Sequence, residues 1–310
     1  MAWREFKKGK TRKREIQEFE FNLEDNIFRL HQELVNKTYI HGPYQSFYVC
    51  DPKLRHIHKA TIRDRLVHQA LFRVLYQIFD RRFIYDSYSC RLGKGTHRGV
   101  KRLEKFILRV SDSYRQPAFA LKLDIRKFFD HIDKDILFTL IARKVKDADT
   151  LELIKMVIDS FAKNLDRSLP LGNVTSQLFA NIYLNELDQF IKHNLKQKFY
   201  LRYCDDFIIL HQSKEYLTNL LVVINDFLKE KLKLQIHPNK IILRKISQGV
   251  DFLGYVVLPH HIILRTRTKK RILRLVNRKN LQSYLGVLKH ARARLLQQKL
   301  LERVLFKAVI

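Results

Sequence analysis

The chain reads as an α+β protein, a largely antiparallel sheet backed by helices. Short runs of alternating apolar residues fall at Phe119-Leu123, Tyr200-Tyr203, Phe207-Leu210, Phe252-Val257 and Ile262-Leu264, the period of half-buried strands. Apolar residues at helical spacing lie between and before them. The order in the middle of the chain is strand, helix, helix, hairpin, helix, hairpin, and strands joined by tight turns pair antiparallel.

The helices follow from periodicity and capping. Ile62, Leu66, Ala70, Val74 and Ile78 line one helical face, as do Val100, Leu103 and Ile107. Ile136, Leu137, Leu140 and Ile141 form another behind Asp133, a residue suited to an N-cap. Further helices are predicted over Gln177 to Ile191 and Leu217 to Leu228. Beyond Arg265 the pattern is helical and very basic, with Arg267, Lys269, Lys270, Arg271, Arg274, Arg278 and Lys279, either a solvated face or the lining of a groove. No repeat, low-complexity tract or Gly/Ser linker interrupts the sequence, which predicts one continuous body.

Charge limits the partners. Sixty Lys and Arg against 31 Asp and Glu give a net charge of +29, spread along all 310 residues. A distributed excess of that size predicts an extended polyanion, bound through release of its counterions. With no apolar run of membrane-spanning length, no signal peptide at Met1-Ala2-Trp3-Arg4 and no lipidation motif, nucleic acid is favoured over a membrane. Cys50, Cys90 and Cys204 are odd in number and far apart, which predicts a reducing cytoplasm and no structural zinc.

The chemistry is concentrated in carboxylates. Tyr203-Cys204-Asp205-Asp206, flanked by Leu201 and by Phe207-Ile208-Ile209-Leu210, reads as two strands folded over a turn that carries adjacent acids. Asp-Asp is a common turn pair, but neighbouring carboxylates repel each other, and a chain that holds them together can use a divalent cation there. A third acid ends the apolar run Phe119-Ala120-Leu121-Lys122-Leu123-Asp124. Three carboxylates at one sheet edge are what two-metal phosphoryl transfer requires. Between the acidic strands lies Leu169-Pro170-Leu171-Gly172-Asn173-Val174-Thr175-Ser176-Gln177, a turn whose glycine lets a bulky group approach the backbone.

In these motifs and their order the chain resembles reverse transcriptases. Asp124 in Leu-Lys-Leu-Asp, the Leu-Pro-x-Gly turn and Tyr-x-Asp-Asp match the family's first three catalytic motifs. His237-Pro238-Asn239-Lys240 and Gly249-Val250-Asp251-Phe252-Leu253-Gly254-Tyr255 are similar to its leaving-group lysine segment and primer-grip hairpin. Arg63-Asp64-Arg65-Leu66-Val67-His68 and Arg91-Leu92-Gly93-Lys94-Gly95-Thr96-His97 resemble its fingers motifs. Within the family, Leu-Gly-Asn-Val-Thr-Ser-Gln followed by Leu-Phe-Ala-Asn-Ile-Tyr-Leu-Asn looks most like the reverse transcriptases of diversity-generating retroelements. Those carry an aliphatic residue, here Leu171, where most of the family has glutamine. Ser283-Tyr284-Leu285-Gly286 with Lys289-His290 resembles their thumb.

The resemblance implies a right-hand polymerase with a ferredoxin-like palm sheet: fingers over 1–117, palm over 118–259 and a helical thumb over 260–310. It implies Asp124, Asp205 and Asp206 as ligands of two Mg²⁺ ions, with Mn²⁺ as a possible substitute, and Lys240 as general acid toward pyrophosphate. Phe129 becomes the gate against a 2′-hydroxyl, where the residue alone reads equally as core. Leu171, Gly172 and Gln177 fall to the nucleotide pocket, Arg63, Arg65 and Lys94 to the triphosphate or template, and Phe252, Leu253 and Gly254 to the primer grip. Asp130 and Asp133 read as turn and cap residues. The implied partners are template RNA, primer and cDNA, dNTPs and a small basic accessory variability protein; the implied product is cDNA with errors at adenines. The alternatives are a group II intron-like or defence-associated reverse transcriptase, and a non-catalytic RNA-binding scaffold. The missing glutamine and the lack of an appended maturase or nuclease domain count against the intron form.

Overall fold

A computed structural model describes residues 1–50, 53–161 and 167–306. The chain divides into two compact units, each assembled from three sequence segments.

The first unit comprises Met1–Tyr85, Ile125–Phe190 and Asn225–Gln235. It opens with helices α1 (Ala2–Lys7), α2 (Arg14–Phe21) and α3 (Leu23–Val35), then a ribbon of β1 (Gln45–Cys50) and β2 (Leu54–Lys59) paired antiparallel. Helix α4 (Ile62–Phe79) starts at Thr61, whose hydroxyl accepts from Asp64 N, and packs on α1. In the later segments lie α6 (Phe128–His131), α7 (Lys134–Ala142), α8 (Ala148–Asp159) and α9 (Val174–Gln189). Asp133 caps α7 as predicted, accepting from Ile136 N at 3.0 Å. Helix α9 is buried on most sides and packs against α4 and α7, which explains its weak amphipathic pattern.

The second unit comprises Asp86–Asp124, Ile191–Ile224 and the chain from Ile236 onward. Its centre is a four-stranded sheet of β3 (Phe119–Asp124), β4 (Tyr200–Tyr203), β5 (Asp206–His211) and β6 (Ile242–Lys245), in the order β4-β5-β3-β6 with every pair antiparallel. The segment between β3 and β4 is helical, β4 and β5 form a hairpin, and α10 (Lys214–Leu232) leads toward β6. This is the split βαββαβ arrangement that the resemblance implied, although its fourth strand, β6, was not among the strands expected from the sequence. Helix α5 (Thr96–Val110) lays Val100, Leu103, Phe106 and Ile107 on the sheet face that carries Ala120, Leu201, Ile208 and Leu210. Burying four such side chains contributes roughly 1.5–3 kcal/mol each.

One expected strand is two. The run Phe252–Val257 is broken by a turn at Leu253-Gly254, so that β7 (Val250–Phe252) and β8 (Tyr255–Leu258) pair with each other, and β8 pairs in turn with β9 (His261–Leu264). Leu253 and Gly254 both take positive φ, 52° and 88°, and only the glycine does so without steric cost. Helices α11 (Thr266–Leu275), α12 (Leu281–Leu288) and α13 (Arg294–Phe306) follow, and Ile272, Leu288 and Leu300 join the core of this unit. Among the described residues no helix is long and apolar enough to cross a membrane.

Candidate active site

Strand pairing brings the acids together. In the antiparallel register of β3 and β5, Asp124 stands opposite Asp206, with Lys122 opposite Ile208 on the same face. Cys204 and Asp205 form the turn between β4 and β5. Cys204 has φ of +57°, a conformation a non-glycine residue holds only when its surroundings impose it. Those surroundings include Arg202, fully buried, which donates from Nη1 to the Cys204 carbonyl at 3.0 Å. Backbone bonds from Arg202 N to Asp86 O and from Tyr88 N to Arg202 O fix that arginine in turn.

The site concentrates negative charge with little water around it. Burial, and after it the Asp124 carboxylate, pushes Asp205 above the usual carboxylate range. Burial also outweighs the adjacent Lys122 and, with Asp124 and Asp205, pushes Asp206 up to about 6. Burial raises the Cys204 thiol as well, which keeps it protonated beside the acids.

Two lysines offset this charge. Lys240 ends a short turn, Pro238–Lys240, pinned to the sheet by His237 N donating to Asp124 O at 2.8 Å. Its Nζ lies 2.6 Å from Asp124 Oδ1. Lys122 Nζ lies 3.2 Å from Asp206 Oδ2 and donates to Asp251 O at 3.0 Å. The second contact ties the acidic turn to the β7 hairpin, where Asp251 also pairs with Arg265. Lys122, Asp251 and Arg265 escaped the sequence reading. The available signal was a lysine two residues from Asp124 in a strand otherwise apolar.

The donor set fits a hard divalent cation. Asp206 Oδ1 is buried and makes no hydrogen bond among the described residues, an arrangement that costs free energy until a donor or cation supplies it. Two more carboxylates lie on or beside the same hairpin, and oxygen ligands suit Mg²⁺. Among the described residues no three acid, histidine or cysteine side chains already close around one point; the lysine ammoniums hold Asp124 and Asp206 instead.

The remaining candidates of the second unit are also placed. Phe252 is fully buried at the end of β7, while the Leu253-Gly254 turn accepts Arg265 N at Gly254 O, 2.9 Å. Lys94 precedes α5, its Nζ 5.2 Å from the centre of the Tyr88 ring.

In the first unit, the Leu171 turn is docked on β2. His58 N donates to Leu171 O at 2.8 Å, Asn173 Nδ2 donates to His58 O at 3.0 Å, and Ala60 N donates to Asn173 Oδ1 at 3.2 Å. Gly172 has φ of +119°, and a Cβ placed there would lie 2.8 Å from Ile57 Cγ2, so the close approach requires glycine. Gln177 is exposed in the first turn of α9. Phe129 is half-buried in α6, edge-on to the buried Phe128 at 5.3 Å, and its carbonyl accepts Leu169 N at 2.8 Å. Both arginines are engaged by acids of the N-terminal helices: Arg63 with Glu33, over the Tyr39 ring, and Arg65 with Glu15 at 3.5 Å, over the Phe6 ring.

Comparison with known proteins gives a consistent result. The model of the reverse transcriptase (RNA-dependent DNA polymerase) family matches residues 50–257. The chain is similar to the group II intron-encoded protein LtrA of Lactococcus lactis subsp. cremoris, at 25% identity over 304 residues, which cover 75% of this chain and 49% of that protein. It is 23% identical over 289 residues to protein YkfC of Escherichia coli (strain K12), covering 80% and 74%, and 23% identical over 286 residues to nuclear intron maturase 3, mitochondrial, of Arabidopsis thaliana, covering 81% and 39%. The chain thus spans about half the length of LtrA. Among solved structures it resembles telomerase from Candida albicans in complex with the TWJ fragment of telomeric RNA, with a TM-score of 0.54 at 12% identity over 81% of this chain and 52% of that one. Apo telomerase from Candida tropicalis, truncated from its C-terminal domain, gives 0.51 at 14% identity over 76% and 59%. At such identity the likeness shows the fold, a right-hand polymerase built of helices and antiparallel sheet.

Proposed function

The chain belongs to the reverse transcriptase family, and from that premise we propose that it is an RNA-directed DNA polymerase that extends a primer 3′-hydroxyl along template RNA with dNTPs. The observation that carries this reading is the pairing of Asp124 with Asp206 across β3 and β5, with Asp205 adjacent and Asp206 Oδ1 unpartnered among the described residues. Those three carboxylates are the residues to hold two Mg²⁺ ions, or Mn²⁺ in their place, which when bound supply charge neutralisation at the reacting phosphates and activate the hydroxyl.

The family resemblance gives further residues roles in the same reaction. Lys240, whose ion pair with Asp124 at 2.6 Å supports a role at the acids, gives a proton to departing pyrophosphate on this reading. Phe129 excludes the 2′-hydroxyl, and Leu171, Gly172 and Gln177 shape the nucleotide pocket. Lys94, Arg63 and Arg65 contribute positive charge toward triphosphate or template. Phe252, Leu253 and Gly254 form the hairpin under the primer end. We assign fingers, palm and thumb to 1–117, 118–259 and 260–310, and the enzyme to the cytoplasm.

Within the family, Leu171 and the Leu-Gly-Asn-Val-Thr-Ser-Gln segment support a diversity-generating retroelement enzyme making error-prone cDNA with a small basic accessory protein. A group II intron-like enzyme is the second reading, favoured by the similarity to LtrA and to an intron maturase. Neighbouring DNA with a repeated segment differing at adenines supports the first; a flanking intron supports the second.

The polymerase reading is tested with purified chain, primed RNA, Mg²⁺ and dNTPs. Extension is expected from the wild type and none from Asp205→Asn, with RNA affinity nearly unchanged. Retention of RNA by the wild type without extension would assign a scaffold instead.

A further inference from the structure

The start of α5 opens onto a cavity of about 380 Å³, lined by Lys94, Thr96, His97, Arg98 and Lys101 and by His290 from the turn after α12. Its volume lies in the range of small-molecule sites, about 300–1,000 Å³. All these residues belong to the second unit. No carboxylate lines the cavity, although the chain as a whole has one acid for about every two basic residues. The N-terminus of α5 adds the positive end of a 15-residue helix, with Gly95 at the N-cap supplying no side-chain acceptor.

The imidazoles sharpen the imbalance. His97 and His290 stack at 3.7 Å between centroids and 27° between planes, and the edge of Tyr255 meets His97 at 6.0 Å. Two faces that close repel strongly when both are charged. Burial and then His290 and Lys101 hold His97 below the usual histidine range; burial and then Lys101 and Lys289 do the same for His290. The cavity therefore contains lysine and arginine cations and two histidines whose protonation burial, and after it the neighbouring imidazole and lysines, disfavours. An anion would relieve both.

We propose that this cavity binds a phosphate group, with Lys94, Arg98 and Lys101 supplying charge and His97 and His290 donating hydrogen bonds once protonated. The chemistry is shared by two sources, a backbone phosphodiester of bound nucleic acid and a free phosphate. Asp124, Asp205 and Asp206 are not among its lining residues, and its recognition of phosphate does not require that polymerisation occur.

The test is a histidine titration followed by NMR on the full chain with labelled imidazoles. His97→Gln and His290→Gln identify the two signals. Inorganic phosphate is added in one arm and a short RNA–DNA duplex in the other. Binding beside the rings raises both imidazole pKa values by about one unit or more. A rise with the duplex assigns the site to the backbone, and Lys101→Gln, an exposed change, should then lower the salt slope of duplex binding by about one. A rise with inorganic phosphate alone assigns it to a free anion. If neither addition moves the two signals the proposal is wrong, and a chain that still extends primers in that case leaves the polymerase reading intact.

Discussion

Lys122 Nζ sits 3.2 Å from Asp206 Oδ2 on the shared face of β3 and β5, and the same ammonium donates to the Asp251 carbonyl at the start of the next hairpin. One side chain therefore both balances an acid whose Oδ1 has no hydrogen-bond partner among the described residues and ties the β7–β8 hairpin to it. Asp206 is held up to about 6 by burial even with this lysine present, so removing the lysine leaves a poorly solvated carboxylate facing Asp124.

Lys122→Met is accordingly expected to destabilise the protein in metal-free buffer by about 1–3 kcal/mol, the usual cost of stranding a buried polar partner. Mg²⁺ should restore part of that loss, because a bound cation takes over the neutralisation. Thermal unfolding with and without Mg²⁺ measures both quantities. An equal loss in the two buffers would mean that Lys122 acts through packing against the hairpin alone.

The acids were legible in the sequence because strand alternation and a two-residue turn are local properties; the register that sets Asp124 opposite Asp206 is not local, and the sequence placed the three acids only at one sheet edge. The capping role of Asp133 was legible for the same reason. Contacts across long separations were not. Nothing near His58 signals that its N–H bonds to Leu171 O, more than 110 residues away, and β1 is exposed at all six positions, so it carries no alternation to read. The ion pairs of Arg63 and Arg65 with Glu33 and Glu15 were not legible either, because those acids lie in helices whose packing the local pattern does not give. The turn at Leu253-Gly254 was hidden inside an apolar run, with Gly254 as its one local sign.

Acid sensitivity should be traceable to His68. Its ring is buried, with Nε2 3.0 Å from His41 Nε2 and Nδ1 2.8 Å from Thr175 Oγ1. Burial, and then His41, lowers it to about 3, against about 6.5 in an unfolded chain. The folded state binds the proton less tightly than the unfolded state, so this contribution is fully present above about pH 6.5 and is lost as pH falls toward 3. The slope is at most about 1.4 kcal/mol per pH unit, or up to about 2.7 kcal/mol between pH 6.5 and 4.5. Denaturant midpoints for the wild type and His68→Gln over that interval measure it; parallel pH dependences would clear His68 of the effect.

Phe129→Ala should admit ribonucleotides while keeping some dNTP use. The ring is half-buried beside Phe128 and its backbone is bonded to Leu169 just before the Leu171 turn, which fixes its placement without consuming its outer face. Sugar selection is differential transition-state binding, so the readout is the ratio of kcat/KM for a dNTP to that for the matching rNTP. A ratio as large as that of the parent would return Phe129 to the core.

The role proposed for Leu171 in fidelity is testable. Its carbonyl is bonded to His58 N, so the turn is held by backbone and the half-buried side chain can be changed without breaking that bond. Leucine neither donates nor accepts, whereas the glutamine that most reverse transcriptases carry here orients the incoming nucleotide. An orienting hydrogen bond contributes on the order of 0.5–1.5 kcal/mol, about three- to tenfold in selectivity. On the retroelement reading proposed above, that would lower fidelity but would be too little to create a preference for adenine by itself. Because Gly172 and Asn173 secure the backbone independently, Leu171→Gln is expected to fold normally. It should reduce misincorporation opposite template adenine more than opposite the other bases, as read by sequencing cDNA made from one RNA by both enzymes. Equal adenine error rates in the two libraries would remove Leu171 from the mechanism of infidelity.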